Sequence, residues 1–268
     1  MIKKFGMENA KPSKTPMLTN QAEKKRVKEI KTETSLDLTK KIPYREAVGA
    51  LLYLTNCTRP DISYSVNVLT RKCHNFDLSD WVKVEKVLKY LMHSKELKLT
   101  YKGNDDRLTA YSDASLGIND EEGKSISGYL VQVFGDAVIW GTKRQGQVAN
   151  SSMEAEYIAL NSMCRDVRYI THLCTLITRE EILPIIYEDN SATISAVKSG
   201  SSRKLKSLVG LKFKYVVNEY FNKRFQIEWI PSKEQLADIF TKALPRPLFE
   251  NLRDEIFNLF LKVKTSST

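Results

Sequence analysis

Residues 151–160 (SSMEAEYIAL) carry two carboxylates, Glu154 and Glu156. Apolar residues at Ala155, Ile158, Ala159, Met163 and Val167 recur at helical spacing, so the stretch reads as the start of a long helix. Ser151 or Ser152 caps the first turn, and Glu154 lies where a helix N-terminus favours negative charge. The two acids are two residues apart and point to different faces, so only one of them easily faces a given site. Taken alone, they are a capping acid and a solvated acid. Their company changes that reading. Asp113 lies in residues 109–114 (TAYSDA), Asp189 in 185–190 (IIYEDN) and Asp238 in 235–240 (QLADIF). Acids gathered from such separate elements repel one another in water and need cations. An all-oxygen set suits Mg²⁺ or Mn²⁺, metals that also contact phosphates.

The elements that must position these acids can be read from local patterns. Residues 97–102 read as a lead-in strand, and 108–114 as a strand ending in Asp113. Residues 127–134 and 137–142 read as strands joined by Gly135-Asp136, a two-residue hairpin turn. The long helix runs from about 152 to roughly 178. Residues 183–187 form a short apolar strand leading to Asp189 and to a helix with Ala192, Ile194 and Val197. A basic loop, 198–206, precedes a helix at 212–223. Residues 224–230 alternate as a strand, and 231–235 cap another helix carrying Asp238. Residues 249–263 form a terminal amphipathic helix.

The 268 residues suffice for one good-sized domain plus a smaller one, and 42% hydrophobic residues permit a proper core. The net charge of +10 points to an acidic partner, with nucleic acid the leading candidate. No run reaches membrane-spanning length, and residues 1–5 (MIKKF) lack the apolar core of a signal peptide. Cys57, Cys73, Cys164 and Cys174 are scattered without a C-x-x-C pair. They read as reduced thiols of an intracellular protein, not a zinc site or disulfide frame. Residues 1–40 read as a linker, turn-rich at 11–17 and dense in Lys and Glu from 21 onward. A compact helical unit follows at 41–96. Its first helix, from Tyr44 to Thr55, is apolar on more than one side. Arg59-Pro60-Asp61 starts the second, and 79–94 forms the third, with Trp81, Val84, Val87, Leu88 and Leu91 at helical spacing.

In this order and with these surroundings, Asp113, Glu156, Asp189 and Asp238 resemble the acids of the ribonuclease H domain of copia-type retrotransposon polyproteins. The motifs that carry the resemblance are SDA at 112–114, SISGY at 125–129, SSMEAEYIAL at 151–160, DNSATI at 189–194 and QLADIFTK at 235–242. Residues 43–54, 58–62 and 87–91 are similar to the thumb or connection part of the same family's reverse transcriptase. The resemblance spans roughly residues 5–245.

The resemblance implies an α/β, ribonuclease H-like fold with a five-stranded mixed sheet, preceded by a small helical region. It implies a linker at 1–40, a thumb- or connection-like region at 41–96, a ribonuclease H-like domain at 97–245, and a C-terminal helix and tail at 246–268. Asp113, Glu156, Asp189 and Asp238 are then both catalytic residues and metal ligands. Asp113 bridges two Mg²⁺ or Mn²⁺ ions, with Glu156 and Asp189 on one side and Asp238 on the other, and Glu154 is the capping acid. The implied substrate is the RNA strand of an RNA–DNA hybrid, told apart by its 2′-hydroxyls. Lys143, Arg144, Arg203, Lys204 and Lys206 are the candidate phosphate contacts. The rest of a Pol polyprotein is a further expected partner, and the expected setting is a cytoplasmic virus-like particle or the nucleus. No Tyr-x-Asp-Asp signature is present, so this chain is not expected to polymerise DNA. Two family histidines are replaced, by Ser207 and Lys214. That departure keeps open an alternative, a catalytically silent nucleic-acid-binding remnant or a fragment of a copia-type Pol polyprotein lacking the polymerase palm.

Overall fold

The computed structural model describes residues 2–19, 42–117 and 122–259. The Lys- and Glu-rich linker from 20 to 41, and the expected terminal helix past 259, lie outside the described residues. Five strands form one sheet: β1 (Leu108–Ser115), β2 (Ile126–Val133), β3 (Asp136–Arg144), β4 (Ile185–Glu188) and β5 (Gln226–Trp229), in the order β3-β2-β1-β4-β5. β1, β2 and β3 pair antiparallel, while β1–β4 and β4–β5 are parallel. This is the five-stranded mixed sheet expected of a ribonuclease H-like fold.

The β2–β3 hairpin turns on Phe134 and Gly135, one residue earlier than expected. Their φ values of 55° and 88° are the positive pair that a tight hairpin needs. Asp136 is therefore free to accept from the backbone N–H groups of Lys102 and Gly103 at 2.9 Å. That use of the Lys102 amide leaves 97–102 as irregular chain, not the expected lead-in strand.

Side chains alternate across the strands, so each face of the sheet meets its own layer. On one face, Leu108, Ala110, Val131, Ile186 and Ile227 pack with Leu160, Met163 and Val167 of α4 (Ser152–Thr178). Phe213 and Val216 of α6 (Arg203–Phe221) join the same cluster. On the other face, Leu130, Ala137 and Trp140 pack with α1 (Tyr44–Cys57), α2 (Ser63–Thr70), α3 (Leu78–His93) and α7 (Arg246–Ile256). The helical unit thus covers the second face of the sheet. Trp140 Nε1 donates to the Thr55 carbonyl at 2.8 Å, and Asn67 Nδ2 to the Thr142 carbonyl at 3.2 Å.

Several elements depart from expectation. α1 buries one face only, through Tyr44, Ala47, Val48 and Leu51, and leaves Tyr53 70% exposed. α7 begins at Arg246, ahead of the expected start, because Pro247 takes the first turn, where a missing N–H costs nothing. α6 begins at Arg203, so the basic segment 203–206 is helix and not loop. Ser202 Oγ caps it by accepting from Leu205 N at 3.3 Å. Val209 sits at φ −133° inside α6, and this break resets the apolar periodicity that the sequence displays.

The motif Arg59-Pro60-Asp61 is buried. Arg59 pairs with both carboxylate oxygens of Asp61 at 2.9 and 2.7 Å, and Tyr90 Oη donates to Asp61 Oδ2 at 2.5 Å. Arg59 also donates to the Ser94 carbonyl and hydroxyl. These contacts lock α3 onto the turn before α2.

Candidate metal centre

Three separate elements deliver the acids. Asp113 lies near the end of β1, Glu156 in the first turns of α4, and Asp189 just after β4. One oxygen from each lies within 4.8 Å of the other two. Asp113 and Glu156 are buried and Asp189 is half-buried. α4 starts where it does because Ser151 Oγ accepts from Glu154 N at 3.3 Å. The Glu154 carboxylate is also buried and accepts from Asn150 N at 2.8 Å, so it braces the cap and leaves the site to Glu156.

Glu156 Oε2 is buried with no hydrogen-bond partner among the described residues. Burial, then the charges of Asp113, Glu188 and Asp189, hold the Glu156 carboxyl well above the usual carboxylate range. An orphaned carboxylate oxygen among like charges is a position that a divalent cation satisfies. The all-oxygen donor set fits Mg²⁺ or Mn²⁺.

Asp238 joins from the other side. It rides on a five-residue 3₁₀ turn, Leu236–Phe240, where the sequence suggests an ordinary helix. Burial, then the charge of Asp113, pushes its pKa up to about 7, while Lys242 pulls the other way. Lys242 Nζ lies 2.7 Å from Asp238 Oδ1 and 3.6 Å from Asp113 Oδ2. Burial works against that ammonium, but the charges of Asp113 and Asp238 outweigh it and raise the Lys242 pKa.

The 3₁₀ turn is held against β1 and β2 by specific groups. Gln235 is fully buried; its Nε2 donates to the Ser112 carbonyl at 3.0 Å, and its Oε1 accepts from Ala237 N at 3.2 Å. Thr241 Oγ1 donates to Asp113 Oδ2 in a short hydrogen bond. Gly128 stands opposite Asp113 in the β1–β2 register. A Cβ there would come within 2.6 Å of Thr241 Cγ2 and 2.7 Å of Phe240 Cβ, so the close approach of the turn requires glycine.

Gln235, Thr241, Lys242 and Gly128 are visible in the sequence as motif letters, but their roles are not. Glu188 is missed outright. It is fully buried beside Asp189, and Ser112 Oγ donates to its Oε2 at 3.0 Å. Burial dominates in raising its pKa well above the usual range. An acid inside the apolar run of β4 is the one signal that marks it.

The five candidate cations fall on two elements. Lys143 is exposed on β3 opposite Ser127, whose neighbour Gly128 faces Asp113, so it shares the acids' end of the sheet. Arg144 pairs with Glu122 at 3.2 Å. Arg203, Lys204 and Lys206 are exposed on the first turn of α6. Lys206 Nζ lies 6.0 Å from the ring centre of Phe213, which packs against Tyr157, the residue after Glu156. Ser207 and Lys214, at the positions of the replaced histidines, are exposed on α6. Among the described residues no helix is long and apolar enough to cross a membrane.

The chain is 29% identical over 250 residues to the retrovirus-related Pol polyprotein from transposon TNT 1-94 of Nicotiana tabacum, covering 93% of this chain and 19% of that protein. It is 30% identical over 262 residues to the Pol polyprotein from transposon RE2 of Arabidopsis thaliana, covering 96% of this chain and 17% of that one. The chain thus spans less than a fifth of the length of these curated relatives. Among solved structures it is similar to LC11-RNase H1, isolated from compost by a metagenomic approach. That match has TM-score 0.39 and 15% identity, over 51% of this chain and 93% of that one. No family model matches the chain.

Proposed function

Because the chain belongs to the copia-type family of retrotransposon Pol polyproteins, we propose that it is a ribonuclease H, a metal-dependent endonuclease for the RNA strand of RNA–DNA hybrids. The observation that carries this reading is the convergence of Asp113, Glu156 and Asp189 to within 4.8 Å from three separate elements. Asp113, Glu156 and Asp189 would hold one Mg²⁺ or Mn²⁺, and Asp113 with Asp238 a second. Divalent ions on such carboxylates draw in a phosphodiester, acidify an attacking water and offset charge on the leaving oxygen.

The protein's own residues do the rest. Thr241 and Gln235 fix Asp113 and the Asp238 turn, so the carboxylates need little rearrangement on loading. A bound ion would give the unpartnered Glu156 oxygen a partner and would favour its ionised form. Lys143, Arg144, Arg203, Lys204 and Lys206 hold the hybrid through its phosphates, without regard to sequence. Recognition of RNA falls to contacts with 2′-hydroxyls in the wide minor groove. In this reading residues 97–245 are the nuclease. Within 41–96, the thumb- or connection-like part, α1 to α3 back its sheet, and within 246–268 the helix α7 closes that layer. The setting is reverse transcription, in a cytoplasmic particle or the nucleus, alongside the remainder of a Pol polyprotein.

A second reading, a silent hybrid-binding remnant, is favoured by Ser207 and Lys214 in place of the family's histidines. Cleavage of a labelled RNA–DNA hybrid by the purified chain, with Mg²⁺ or Mn²⁺ and beside Asp113→Asn, separates the two. Metal-dependent cutting of the RNA strand, lost in the variant, is the expected result. Binding of the hybrid without cutting would support the silent remnant instead.

A further inference from the structure

Lys242 stands out among the groups at the site. Its ammonium lies between two carboxylates of different elements, 2.7 Å from Asp238 Oδ1 and 3.6 Å from Asp113 Oδ2. Those two side chains are 6% and 4% exposed, whereas the Lys242 side chain is 41% exposed. The lysine therefore covers the acids from the solvent side and has a path outward. On the far side of Asp113 no such cation is supplied: Glu156 is 6% exposed and its Oε2 stays without a partner among the described residues. The two halves of the acidic site are not equivalent. The Lys242 ammonium is in ion-pair contact with Asp113 and Asp238, and not with Glu156.

We propose that the Lys242 ammonium occupies the second cation position, so that the substrate-free protein holds one divalent ion tightly, on Asp113, Glu156 and Asp189. This rests on the metal-dependent reading above and deepens it. The lysine is a positioning residue: a nucleic-acid phosphate at the mouth of the site offers it another anion, and its outward movement frees Asp113 and Asp238 for a second ion. Three features support the exchange. The ammonium is tethered four residues from Asp238, at the reach of one helical turn. Thr241 holds the Asp113 carboxylate, and Gln235 ties the turn that carries Asp238 to β1, so both acids keep an anchor that does not depend on the lysine. Its stem is flexible and the charge sits at the end, unlike the planar fork of an arginine.

The test counts ions instead of turnover. Mn²⁺ binding to the free chain is followed by electron paramagnetic resonance and by titration calorimetry, for wild type, Lys242→Met and Lys242→Arg, with circular dichroism to confirm folding. Wild type is expected to bind one Mn²⁺ tightly. Lys242→Met is expected to bind two, the second at least tenfold more tightly than in wild type, and Lys242→Arg is expected to bind one. With a hybrid carrying a non-hydrolysable linkage, wild type is expected to bind two. Two equally tight ions in the free wild-type chain would overturn the proposal, even if Lys242→Met failed to fold. One ion in both wild type and a folded Lys242→Met would overturn it too. No tight ion in wild type, with or without hybrid, would instead remove the metal-dependent reading beneath it.

Discussion

Gln235 Nε2 donates to the Ser112 carbonyl at 3.0 Å, joining the turn that bears Asp238 to the strand that bears Asp113. The same side chain accepts from Ala237 N, so both its ends are engaged. It touches neither of the acids it aligns. Gln235→Ala should lower Mn²⁺ affinity or hybrid cleavage by about 10–100-fold, the range for groups that orient metal ligands. Parallel Mn²⁺ titrations of the two proteins check this. An unchanged affinity would show that the turn is held without the amide.

Gly128 is required by space. A methyl group there meets Thr241 and Phe240 at 2.6 and 2.7 Å. Gly128→Ala should therefore push the Asp238 turn off β2 and destabilise the fold by about 1–3 kcal/mol, the usual cost of overpacking. Urea denaturation measures the loss of midpoint. Mn²⁺ affinity should fall with it, because Thr241 also holds Asp113.

The pH dependence of the metal-free chain follows from Asp238, whose pKa rises from 3.8 to about 7 through burial and the charge of Asp113. Between those values the folded chain holds a proton that the unfolded chain has released. The contribution is full below about pH 4 and is lost as pH rises through 7. Wild type should therefore lose stability relative to Asp238→Asn between pH 4 and 8 in chelator. Added Mg²⁺ should reverse the loss increasingly as pH rises. Thermal melts across that range, with and without Mg²⁺, check both signs.

Arg59 is a lock in the helical layer, fully engaged with Asp61 and Ser94. Arg59→Ala leaves the buried Asp61 carboxylate without its cation and should cost about 3–5 kcal/mol. Because α1 to α3 back the sheet, the loss should appear as one cooperative shift of the whole denaturation curve. A separate early transition confined to the helices would contradict that coupling.

Local spacing alone determined much of this molecule. The long helix is read at 152–178 from its apolar periodicity and its serine cap, and α4 runs Ser152–Thr178. The order and direction of the strands around Asp113 follow from alternation and turn residues, to within one residue at the hairpin. Those signals are legible because hydrogen bonds and side-chain periodicity within an element act between near neighbours. Tertiary structure decided the rest. Whether Glu154 or Glu156 enters the site is ambiguous from spacing; it is settled by the Asn150 amide, which captures Glu154. Lys242 and Thr241 meet Asp113 across nearly half the chain, and no local pattern records a contact between residues 128 apart. Arg59-Pro60-Asp61 reads locally as the start of a helix; that Arg59 and Asp61 are buried and joined to Tyr90 of α3 and to Ser94 at its end is decided by packing. The start of α6 is hidden by the break at Val209, where burial of Leu205 and Val209 outweighs local propensity. Composition and period specify which elements form. Which charges share a buried pocket depends on how those elements pack.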